Sequence, residues 1–131
     1  MTSRVYYNKL IRDRIPEKIA SRGETYHARA ITDDQEFEQE LLKKVAEEAG
    51  GLARARTRET FLREYADLMI ALDTLTAQLE ISEAELAVAL KENLEKKGGY
   101  EKRYFLDWSQ ASDYVSDEST QGIQKHTQRP T

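Results

Sequence analysis

Four carboxylates at helical spacing carry the most chemistry in this chain. Glu48 lies three residues after Val45 and four before Leu52, inside a run of apolar residues at every third or fourth position. Glu64 stands the same way between Phe61 and Leu68, and Asp67 follows it by three, on the same side of a helix. Charged residues on a bundle helix ordinarily face solvent, and that is the alternative for each of these. Their place within the apolar rows argues otherwise. Glu48 and Glu64 are equidistant from Arg56, so two helices folding back about that position would bring them level, with Glu47 facing the level of Tyr65. Carboxylates clustered at such a seam repel one another unless a cation stands between them. An all-oxygen donor set calls for magnesium or manganese rather than zinc.

The elements that must position these groups read as helices. Pro16 fits the first turn of a short helix running to about Arg22, where Gly23 stops it. Residues 24–31 read as an extended connector. Thr32, with Gln35 three residues on, opens a long helix as a capping box. Its stripe is Phe37, Leu41, Val45, Ala49 and Leu52, with Gly50-Gly51 interrupting it at a cost of about 1 kcal/mol per glycine relative to alanine. Residues 54–58 read as the connection, with Thr57 capping the next helix. There Phe61, Tyr65, Leu68, Leu72, Leu75 and Leu79 form a heptad-like seam. Ser82 and Glu85 make another capping box for a helix with Leu86, Leu90 and Leu94, closed by Gly98-Gly99. Short connections imply antiparallel neighbours, so the expected fold is an all-α antiparallel helical bundle.

Composition sets the outer bounds. The 131 residues suit one domain, expected over residues 1–108 with Trp108 packed where it ends. Residues 109–131, rich in Ser, Asp, Gln and Thr, read as a polar disordered tail. Hydrophobic residues are 39% and charged residues 34%; 20 basic against 24 acidic residues give a net charge of −4, which argues against duplex nucleic acid or an anionic membrane as partner. With no cysteine there is no disulfide frame, thiolate metal site or cysteine nucleophile. No signal peptide or membrane span is visible, so the expected location is cytoplasmic. His27 and His126 lie far apart, and no Ser or Thr has partners for nucleophilic catalysis.

Four segments, in order, resemble the MazG-like and phosphoribosyl-ATP pyrophosphohydrolase superfamily of all-α nucleotide pyrophosphohydrolases. A YNKLVRDKIP-like opening corresponds to Tyr7-Asn8-Lys9-Leu10-Ile11-Arg12-Asp13-Arg14-Ile15-Pro16. The EExxE motif corresponds to Glu47-Glu48-Ala49-Gly50-Gly51, the ExxD motif to Glu64-Tyr65-Ala66-Asp67, and an RGGF-like element to Lys97-Gly98-Gly99-Tyr100. The resemblance spans residues 7–106.

It implies hydrolysis of a nucleotide between its α and β phosphates, giving a nucleoside monophosphate and pyrophosphate. Glu48, Glu64 and Asp67 would hold Mg²⁺, or Mn²⁺, with Glu47 a further ligand or a water-orienting base. Lys9, Arg12, Arg14, Lys96 and Lys97 would meet phosphates, and Tyr7 or Tyr100 would stack on a base. It also implies a bundle completed by oligomerisation, as a homodimer or dimer of dimers. Two positions depart from the pattern. Gly51 stands where the last Glu of EExxE is a metal ligand, and Asn93 where a basic residue is common. The alternative function is therefore a catalytically impaired homologue that binds nucleotide or a protein partner. A third possibility is a structural adaptor using the Phe61–Leu79 seam.

Overall fold

Proline and glycine mark the first helix as the sequence suggests. The computed structural model describes residues 3–110. Helix α1, Ile15–Ser21, carries Pro16 in its first turn, where a missing N–H costs nothing. Gly23 follows at φ +75, a left-handed conformation that glycine adopts without strain.

Helix α2, Asp34–Arg54, begins one residue later than the Thr32 reading requires. Asp33 is the cap: it is extended, and its carboxylate accepts from the N–H of Glu36 at 2.8 Å. An aspartate three residues before Glu36 offers the same reciprocal spacing as Thr32 and Gln35, and its negative charge also suits a helix N-terminus. The second difference is larger. Gly50-Gly51 does not interrupt α2, which runs on to Arg54. The propensity cost of two glycines is small beside the burial available where this turn meets the next helix.

Only residues 55–57 separate α2 from α3, Arg58–Gln78. Thr57 caps α3 in a reciprocal box with Thr60. At the far end, Gln78 Nε2 donates to Asp34 Oδ1 at 3.2 Å, joining the last residue of α3 to the first of α2. The two helices therefore form an antiparallel hairpin. Its core is Leu41 of α2 with Ala71 and Leu75 of α3, the three buried hydrophobic residues among those described. The heptad-like row splits. Leu68, Leu72 and Leu75 turn inward to varying degrees, while Phe61, Tyr65 and Leu79 are each 48% exposed. The Phe61 and Tyr65 rings stack on each other with centroids 6.3 Å apart.

Helix α4, Glu83–Lys97, starts under Ser82, whose hydroxyl accepts from the N–H of Glu85 at 3.1 Å. It is not the antiparallel neighbour that its short connection suggests. Glu80, left-handed at φ +58, turns the chain out of α3. Among the described residues α2 and α3 are the only helices that pack on each other. Leu90 and Leu94 of α4 stay 68% and 58% exposed.

The chain divides into two units after Lys96. Residues 98–110 hold no helix or strand, and Trp108, expected to pack, is 73% exposed. The expected tail lies outside the described residues from 111 onward, as does His126. All regular structure among the described residues is helical, and no helix there is long and apolar enough to cross a membrane.

A candidate acidic metal centre

The hairpin brings Glu48 of α2 level with Glu64 and Asp67 of α3. One carboxylate oxygen from each lies within 4.8 Å of the other two, and all three residues are half-buried. Two features place them there. The short connection sets the register that makes positions 48 and 64 face each other. The helical repeat puts Asp67 one turn beyond Glu64 on the same side.

The donor set fits a small, hard divalent cation. Oxygens bound cis at 2.0–2.1 Å on an octahedral magnesium lie about 2.9 Å apart and trans ones about 4.2 Å, so the carboxylates would draw in by up to about 2 Å. Such a movement is within the reach of side-chain rotation. Water completes magnesium coordination readily, so three carboxylates suffice.

Cations stand at the rim. Lys9 Nζ donates to Glu47 Oε1 at 3.0 Å, and Lys44 Nζ donates to Glu47 Oε2 at 3.1 Å. Lys44 Nζ also lies 3.9 Å from Glu48 Oε1. Arg12 Nη1 is 3.6 Å from Asp67 Oδ1. Lys9 follows Asn8, held at φ +48, a left-handed conformation that asparagine tolerates better than most residues. The segment before α1 thus reaches both helices of the hairpin from one side.

The paired glutamates are driven in opposite directions. Hydrogen bonds from Lys9 and then Lys44 hold the Glu47 carboxyl below its ordinary pKa. Glu48 is pushed up, first by burial and then by the charge of Asp67, with Glu47 and Glu64 adding to the repulsion and Lys44 opposing it. A carboxylate with a raised folded-state pKa contributes stability that is present below the unfolded-state pKa, about 4, and lost as pH rises through the folded-state value. Glu48→Gln is therefore expected to raise the melting temperature by a few degrees at pH 7 in the presence of a chelator. That gain should fade below about pH 4, where the carboxylates are protonated. Melting curves recorded across that range check it, and an equal gain at every pH would contradict it.

Of the other expected site residues, Arg14 makes no ion pair or side-chain hydrogen bond among the described residues, and Lys96 lies exposed near the end of α4. Lys97 and Tyr100 belong to the second unit, where Tyr100 is 94% exposed. Sequence reasoning missed Lys44, although its spacing of three and four from Glu47 and Glu48 is a legible signal. It also read Gly51 only as an absent ligand. In the structure, a Cβ built on Gly51 would stand 2.6 Å from Glu64 Oε2. Glu64 occupies the room that a side chain at 51 would need.

No family model, curated protein or solved structure matches this chain.

Proposed function

We propose that the chain is a magnesium-dependent nucleotide pyrophosphohydrolase, cleaving between the α and β phosphates to give a nucleoside monophosphate and pyrophosphate. The observation that carries this reading is the meeting of Glu48, Glu64 and Asp67 within 4.8 Å across the hairpin. The ordered sequence segments resembling the MazG-like superfamily add the reaction type. Glu48, Glu64 and Asp67 would hold the cation, which neutralises phosphate charge and lowers the pKa of bound water. Lys9 stands beside Glu47 and Arg12 beside Asp67, and both can turn to phosphate oxygens, for which lysine and arginine are suited donors. Glu47 or Glu48 would accept the proton of the attacking water. Of the two, Glu47 is held ionised by hydrogen bonds from Lys9 and Lys44, whereas Glu48, as a ligand, would lose its raised proton affinity to the cation's charge.

A second reading has its own observation, the glycine at position 51 in place of a fourth carboxylate. In this reading the protein binds a nucleotide or a partner protein without turning a nucleotide over. The deciding experiment measures pyrophosphate release from a panel of nucleoside triphosphates with Mg²⁺ or Mn²⁺, alongside calorimetry of nucleotide binding. Release supports the hydrolase; binding without release, even with Mn²⁺, supports the impaired homologue. No metal binding and no nucleotide binding together sink both.

The working form in this proposal is a homodimer or dimer of dimers. A hairpin with three buried hydrophobic residues is a thin core, and isolated helices of α4's length are marginal in water. Leu42, Phe61, Tyr65, Leu79, Leu90 and Leu94 are each about half exposed or more. At roughly 100 Å² of exposed apolar area apiece, they supply most of the ~800 Å² per partner of a standard interface. A second copy is the one partner present in fixed ratio to every chain. Light scattering is expected to give at least twice the 15.1 kDa chain mass; a monomer at micromolar concentration would contradict it.

A further inference from the structure

Gly51 lies within α2, not at its end, and its backbone is helical. Conformational freedom is therefore not the reason for a glycine here. The reason is spatial. The nearest atoms to a Cβ at this position are all from one side chain: Glu64 Oε2 at 2.6 Å, Glu64 Cδ at 3.3 Å and Glu64 Oε1 at 3.9 Å. Real Cβ atoms essentially never come as close as the first of these, so a side chain at 51 would make the Glu64 carboxylate, the free end of a flexible side chain, swing away from its present position. Gly50, next in the chain, differs. Its Cβ would meet only Arg54 Nη1, at 3.3 Å, the mobile tip of an exposed side chain.

We infer that Gly51 is the positioning residue of the acidic centre: the space left by its missing side chain is where the Glu64 carboxylate lies against α2, and that seat holds it beside Glu48 and Asp67. The inference deepens the proposed metal reading and rests on it for its ligand. The clearance itself is a property of the two helices alone. It reverses the sense of the glycine. A site with a fourth carboxylate at 51 would have to carry Glu64 elsewhere. This chain gives up that carboxylate and gains a closer approach of α3's glutamate. Gly51→Glu is thus not a simple restoration of a ligand, because its own Cβ already displaces another.

The test is a set of alanine replacements that separates helix propensity from the seat. Glycine to alanine in a helix interior is stabilising on its own account. Gly50→Ala is expected to raise the melting temperature of the full chain, by about 5 °C for a unit of this size. Gly51→Ala should gain clearly less, because its methyl group crowds the Glu64 side chain, a steric cost separate from the charge repulsion among the carboxylates. In a Glu64→Ala background the two replacements should gain equally, since nothing remains to crowd. Manganese titration, followed by its electron paramagnetic resonance signal, should show Kd raised about tenfold by Gly51→Ala and unchanged by Gly50→Ala.

Equal gains from both replacements with Glu64 present would overturn the inference. So would a Gly51→Ala protein that binds manganese as tightly as the parent. If the parent itself binds no manganese, the proposed metal reading falls. The melting comparison, recorded without metal, still decides whether Gly51 seats Glu64.

Discussion

Glu64→Ala is expected to lower pyrophosphate release by at least about 10²-fold while leaving the fold intact. The size follows from what the proposed function would lose, one of three anionic oxygen donors for a cation that would offset charge in the transition state. Losing a single preorganised electrostatic partner of that kind costs on the order of 10²–10³ in rate. The fold is expected to survive because Glu64 contributes repulsion rather than cohesion. Its charge is among those that push Glu48 upward, and it makes no ion pair or side-chain hydrogen bond among the described residues. Removing it should leave the melting temperature in chelator equal or slightly higher. Rate and stability thus move independently, and one protein preparation supplies both readings. Unchanged release from a folded, active preparation would place the reaction, if any, elsewhere on the molecule.

Leu41→Ala should have the largest effect on stability of any single truncation in the hairpin. Leu41 is only 3% exposed, the most buried hydrophobic residue described, and lies on α2, which packs against α3 with its buried Ala71 and Leu75. Leucine to alanine in a closed core costs about 2–5 kcal/mol. Whole domains have only about 5–15 kcal/mol to lose, and this core has few other members to share the strain. Loss of about 3 kcal/mol corresponds to a fall of roughly 12 °C or more in melting temperature for a unit this size. Circular dichroism at 37 °C is expected to show the helical signal much reduced. A fall of only 1–2 °C, within the range of an ordinary surface change, would mean that cohesion lies elsewhere, above all in contacts between copies.

The sequence discloses the hairpin better than what surrounds it. The stripe through Leu41 and Val45, the cap at Thr57 and the equal spacing of Glu48 and Glu64 about Arg56 are local signals, and local signals survive folding unchanged. The place of α4 was not legible. Leu86, Leu90 and Leu94 state that an apolar side exists, but a left-handed residue at Glu80 decides where that side goes. Nothing in the type of a glutamate announces a positive φ. The cap at Asp33 and the continuity of α2 through Gly50-Gly51 show two smaller failures of the same kind. Competing caps one residue apart differ by less than the propensity scale resolves, and packing overrode two glycines. At the site, residue spacing pointed to the three carboxylates that the hairpin brings together. The seat of Glu64 against Gly51 depends on the separation of two backbones, which no one-dimensional pattern contains.

The three-residue connection between α2 and α3 has a consequence in time as well as in space. The three carboxylates lie between positions 48 and 67 of the chain, so they meet whenever this one hairpin closes, without waiting for distant segments. Contacts of such short sequence separation form on the fast side of the folding range. Their mutual repulsion is accordingly felt in the folding transition state and not only in the finished protein. A divalent ion that relieves it should act as a nucleating agent: it would steepen the approach to the folded state more than it would slow departure. Stopped-flow refolding with and without Mn²⁺ would show this as a faster folding limb over a nearly unmoved unfolding limb.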